Sequence, residues 1–113
     1  MKTEIKGEIT NDSNIKVLLE LLHPTSAVCG LPKEKSKQYI LKNEGYDRKY
    51  YTGFLGEFSS KSKTEIFVNL RCMEIENETA KIYVGGGITA QSNAEKEWEE
   101  TINKTMTMKK VLS

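Results

Sequence analysis

Glu97, Glu100 and Lys104 stand at i, i+3 and i+7 of a segment with helical character, so all three project from one face. Two carboxylates one turn apart are hard-oxygen ligands suited to Mg²⁺, and a lysine a turn further on is available for a substrate anion. The same spacing also describes an ordinary solvated helix laced with i,i+4 pairs, and spacing alone leaves both open. Just ahead, Gly85, Gly86 and Gly87 lie between an expected strand and that helix. Successive glycines allow unhindered backbone N–H groups to converge on an anion, while a flexible turn is the other reading. The triplet is neither a P-loop nor a dinucleotide fingerprint, because no G-x-G-x-x-G and no G-K-[ST] is present. Arg71 falls on an expected strand face with Phe67, Asn69, Met73 and Ile75, opposite Ile66, Val68, Leu70 and Cys72. An arginine held there suits a two-pronged grip on a carboxylate, or it snorkels from a sheet edge.

The elements that must carry these groups follow from periodicity and punctuation. Residues 1–9, anchored by Ile5 and Ile9, are expected to form a short strand. Asp12 and Ser13 are good N-caps for a helix whose Ile15, Leu18, Leu19 and Leu22 recur at helical spacing, and Pro24 ends it. Pro32 suits the first turn of a second helix and Gly45 its stop, with a thin apolar face of Tyr39 and Ile40. Three strands are expected next. Residues 50–58 contain Gly53 and Gly56, where another backbone or a ligand comes close. Residues 65–75 alternate with period two, and residues 80–84 put Ala80, Ile82 and Val84 on one face. The link through Glu76, Asn77 and Glu78 is short enough for an antiparallel hairpin. Ser92 and Glu95 have capping-box spacing at the start of the last helix, where Trp98, Ile102, Thr105 and Leu112 are expected to pack on the sheet. With no helix between the last strands, the order indicates an α+β unit with antiparallel strands and flanking helices.

Composition removes several function classes. A chain of 113 residues with no repeat or linker is one structural unit. Its formal net charge of +1 and its lack of a basic, aromatic-studded surface imply no nucleic-acid partner. The apolar run of residues 17–22 is too short to span a bilayer, and the first nine residues have no signal-peptide pattern, so no membrane role is expected. Cys29 and Cys72 fit no C-x-x-C spacing and suit two reduced, partly buried thiols of a cytoplasmic protein.

The three constellations occur together, in this order, in the chorismate-utilising enzymes, which include isochorismate, salicylate, anthranilate and aminodeoxychorismate synthases. The segments that carry the resemblance are LHPTSAVCGLP (residues 22–32), DRKYYTGFLG (47–56), NLRC (69–72), VGGGI (84–88) and SNAEKEWEETINK (92–104). They are collinear and span nearly the whole chain. The first of them and NEGYDRKYYTG (43–53) are similar to the isochorismate synthases of menaquinone or siderophore pathways. Amine-adding relatives carry a P-x-G-[ST]-x-x-G-x-P-K segment there. Ala27 stands where isochorismate synthases tend to have alanine and salicylate-forming lyases threonine. Ser26 departs from that segment's usual proline, and Glu57 stands where many relatives have tryptophan.

The resemblance implies a layered α+β fold and a role for each residue. Tyr51 and Arg71 contact the substrate chorismate, with Arg71 on a carboxylate, and Ala27 lines the ring pocket. The backbone of Gly85, Gly86 and Gly87 and the side chain of Lys104 hold carboxylates. Glu100 ligates Mg²⁺, with Glu97 at the same metal directly or through water. His23 is expected to be structural. The family's general-base lysine, general-acid glutamate and a further metal-ligating glutamate all lie upstream of the stretch that residues 1–113 match, so no catalytic acid or base is expected on this chain. It corresponds to the C-terminal part of a chorismate-binding catalytic domain. By itself such a part is expected to be inactive and to expose sheet edges that self-association or an N-terminal half would cover. A non-catalytic chorismate-binding remnant, half of a split enzyme, and a lyase or anthranilate-type relative remain as alternatives.

Overall fold

A computed structural model describes residues 3–8, 15–59, 61 and 63–112. Its elements are α1 (Ile15–Leu22), α2 (Ser26–Cys29), α3 (Lys33–Asn43), β1 (Phe54–Glu57), β2 (Glu65–Val68), β3 (Cys72–Glu76), β4 (Thr79–Tyr83) and α4 (Ala94–Leu112). The α+β class is as expected. Asp12 and Ser13, expected to cap α1, lie outside the described residues, and the expected first strand is not formed across residues 3–8. Ile5, one of its two anchors, is 90% exposed, so nothing there offers a partner ladder.

The principal departure is in the sheet. The expected strand over residues 65–75 is two strands in two separate antiparallel pairs, β1 with β2 and β3 with β4. Asn69 prolongs the first pair by exchanging backbone bonds with Gly53 and Thr52 (2.7 and 2.8 Å). Arg71 then takes φ 49°, and the chain turns into β3. A left-handed residue ends a ladder while leaving the apolar alternation intact, so periodicity alone does not reveal the break. The expected strand over residues 50–58 is likewise shortened to four residues, because residues 49–53 form turns with Lys49 and Thr52 at positive φ. Within β1, Gly56 is the close approach that its type suggested. A Cβ there would fall 2.0 Å from the Glu65 carbonyl oxygen of β2. The β3–β4 hairpin turns through Asn77 at φ 54°, a residue that tolerates that conformation.

The two helices expected here, α1 and α3, end as the punctuation indicated. Gly45, at φ 71°, follows the last residues of α3. Pro32 precedes the first turn of α3 rather than sitting in it, and the short helix α2 was not expected. The last helix departs further. Trp98 is 68% and Ile102 47% exposed, so they do not pack on the sheet. The stripe turned inward is Glu97, Thr101, Lys104, Thr105 and Met108, at helical spacing.

The enclosed core is small. Among the described residues, Cys29, Tyr51 and Tyr83 are the buried apolar ones, joined by Thr52. The accessible surface of 10062 Å² compares with about 6,300 Å² for a compact chain of this mass. The radius of gyration, 16.5 Å, likewise exceeds the roughly 13 Å of a compact domain of this length. Much apolar surface is therefore left uncovered by the chain itself.

Candidate functional site

A cleft of about 920 Å³ opens between α2, α3, the turn ahead of β1, the strand end after β4, and α4. Ala27, Tyr51, Gly85, Gly86, Gly87 and Lys104, all singled out from sequence, line it together. Glu97 and Glu100 stand at its edge. Lys104 Nζ donates to the Gly85 carbonyl at 3.0 Å and pairs with the Glu100 carboxylate one turn before it. A Cβ on Gly86 would lie 3.3 Å from Glu97 Oε2 and 4.0 Å from Lys104 Nζ, so a side chain there would point at both the carboxylate and the ammonium. Arg71 stands apart. It is exposed at the β2–β3 bend, and its neighbour Leu70 reaches the cleft instead. His23 is also outside the cleft, its ring 5.5 Å from that of Phe54.

The wall carrying Tyr51 is built from residues that the sequence reading did not single out. Tyr51 stacks on Tyr83 with ring centroids 5.6 Å apart. Its hydroxyl reaches the glycine strap, 2.7 Å from where a Cβ on Gly85 would be. Burial, then Tyr46, holds the Tyr51 phenol above its ordinary value, against the pull of Arg48. Arg48 is the tie. Its Nε donates to Glu44 Oε2 at 2.7 Å while Nη2 reaches the other oxygen, a two-pronged pair. Its Nη1 donates to the Val28 carbonyl at 3.1 Å and the Thr52 hydroxyl at 3.4 Å, and the guanidinium lies 5.9 Å from the Tyr51 ring centre. One side chain thus joins α2, the end of α3 and the turn bearing Tyr51. Glu44 and Arg48 lie on either side of the Gly45 stop, outside any helix, so helical spacing gave no signal for this pair.

On the far side of Tyr83, its hydroxyl donates to Glu74 Oε2 at 3.1 Å, and Lys49 pairs with the same carboxylate. The Lys49 bond, then that of Tyr83, holds the Glu74 carboxyl below the usual range. Cys29 and Cys72 are both free thiols, as expected, and burial raises the proton affinity of Cys72.

Two carboxylates on successive turns, beside a lysine, make a donor set compatible with Mg²⁺. That ion takes one or two protein carboxylates and completes its shell with water and substrate oxygens. Among the described residues no group of three His, Cys, Asp or Glu side chains makes a fuller metal centre. Among them, too, no helix is long and apolar enough to cross a membrane.

The sequence profile of the family described as chorismate binding enzyme matches residues 1–113, and the chain belongs to that family. It is 38% identical over 109 residues to isochorismate synthase DhbC of Bacillus subtilis, covering 96% of this chain and 27% of that protein. It is 40% identical over 109 residues to the vibriobactin-specific isochorismate synthase of Vibrio cholerae, covering 96% and 28%. Component 1 of anthranilate synthase from Thermococcus kodakarensis is 33% identical over 112 residues, covering 99% and 26%. The chain therefore spans about a quarter of the length of the curated relatives it matches.

Proposed function

We propose that this chain carries the carboxylate-holding and metal-holding part of an isochorismate synthase-type site, which in a complete enzyme converts chorismate to isochorismate. The observation that supports this most is the convergence of Lys104, the glycine strap, Tyr51 and Ala27 on one cleft with Glu97 and Glu100 at its rim. The Lys104 ammonium and the N–H groups of Gly85, Gly86 and Gly87 bind the carboxylates of chorismate. Tyr51 orients the substrate from the opposite wall, and Ala27 leaves room for the ring. Glu100, with Glu97, holds Mg²⁺, which supplies charge screening for the ring carboxylate. Arg71 joins the carboxylate set only after a change at the β2–β3 bend. The proton-transferring lysine and glutamate come from the region that the resemblance puts ahead of the matched stretch, and burial against that region, or against a second copy, covers the exposed apolar faces.

The test is product analysis by chromatography after incubation with chorismate and Mg²⁺. The chain alone is expected to give no isochorismate, because losing a positioned acid or base costs about 10²–10⁴ in rate and the resemblance puts both ahead of the matched stretch. Adding a separately made N-terminal region is expected to yield isochorismate, and Glu100→Ala to remove it. Isochorismate from the chain alone would overturn the division of roles, and no product from the combination would overturn the proposal. The likeness to an anthranilate synthase component favours one second reading, amine addition. Anthranilate formed when ammonium is supplied would select it.

A further inference from the structure

Ser92 has a task that its sequence position disguises. Its spacing to Glu95 suggests a capping box, but the structure gives the cap to Asn93. Asn93 Oδ1 accepts the Lys96 N–H at 3.1 Å, and the Asn93 carbonyl accepts the Glu97 N–H at 3.0 Å. The Ser92 hydroxyl is thereby spared from the helix terminus. It accepts the Thr89 N–H at 3.1 Å and donates its one proton to Glu97 Oε1 at 2.6 Å. The Ser92 N–H returns a bond to the Thr89 carbonyl at 3.0 Å, so residues 89–92 form a closed, doubly bonded turn.

We infer that Ser92 is a positioning residue for Glu97, fixing that carboxylate against the glycine strap so that Oε2 is presented beside Gly86 to a divalent cation. A glutamate on a helix surface otherwise samples several rotamers, each lost when a ligand is bound. Here one oxygen is committed to a hydroxyl whose own direction is set by the Thr89 N–H. The other lies 3.3 Å from the point a Gly86 Cβ would occupy. Groups that orient a metal-binding carboxylate in this way typically contribute about 10–100-fold in metal affinity. The inference rests on the proposed metal role of Glu97, and the experiment separates the two.

The 113-residue chain is titrated with Mn²⁺, read by the EPR signal of the free ion, and the bound Mn²⁺ is then displaced with Mg²⁺. Ser92→Ala is expected to weaken Mn²⁺ binding by about 10–100-fold, with Ser92→Thr restoring it. Ser92→Cys, which keeps the volume with a weak S–H donor, replaces the alanine variant if that one does not fold. Asn93→Ala is expected to lower the thermal midpoint while leaving Mn²⁺ affinity unchanged. Unchanged affinity in Ser92→Ala or Ser92→Cys, with binding lost in Glu97→Gln, would overturn the positioning role and leave the metal reading intact. No Mn²⁺ binding by the parent, or unchanged binding in Glu97→Gln, would overturn both.

Discussion

The wall of the cleft and the outer faces of the same chain are built on opposite principles. Around Tyr51 the molecule buries its few enclosed side chains and matches charge with hydrogen bonds: Arg48 with Glu44, Val28 and Thr52, and Tyr83 with Glu74. Over α1, the β1–β2 pair and the outer side of α4 it leaves large apolar groups such as Leu21, Phe67 and Trp98 at the surface. What the chain holds together unaided is the site, and what it leaves open is the surface around it. A contiguous apolar surface that its own chain does not cover marks a place where another surface belongs.

Substitutions of decreasing severity probe that contrast. Gly56→Ala places a Cβ 2.0 Å from a backbone carbonyl that cannot swing away, so the β1–β2 pair has to separate. A loss of about 3 kcal/mol or more is expected in the denaturant midpoint, the upper end for overpacking. Arg48→Met leaves Glu44 without its partner and unties α2 from the Tyr51 turn. With the two side chains 21% and 27% exposed, about 2 kcal/mol is expected, less than for a fully buried pair. A stability equal to the parent's would show that the wall is not held by Arg48. On the outer face the expected sign differs. Trp98→Lys should change stability by no more than about 0.5 kcal/mol while lowering self-association in sedimentation. A large loss of stability would mean that the face is already covered.

The smallest effect is on pH dependence. Burial raises the phenols of Tyr51 and Tyr83 in the folded chain, so the folded state keeps protons that the unfolded state gives up. Their contribution to stability is full below the unfolded value of about 10 and is lost as the pH rises through the folded value. A urea midpoint that falls between pH 9 and 11, and falls less in Tyr51→Phe, is the expected outcome.

Much of the site was legible in the sequence because its parts are local. The spacing of Glu97, Glu100 and Lys104 is a helix property, and the glycine triplet marks a strap wherever it lies. What brought Tyr51 and Ala27 to the same cleft is long-range, and among the described residues it runs through Arg48, whose bond to the Val28 carbonyl no periodicity reveals. The split between β2 and β3 was hidden for another reason: one left-handed residue at Arg71 changes the topology without disturbing the apolar alternation. Trp98 and Ile102 were placed inward on hydrophobicity, but Glu97, Thr101, Lys104 and Thr105 took that side.

The most direct test of the central claim is a calorimetric titration of this chain with chorismate in the presence of Mg²⁺, for the parent and for Lys104→Met. Saturable binding by the parent, lost in the variant, is the expected result. Equal binding by both would show that the cleft between the glycine strap and α4 does not hold the substrate's carboxylates.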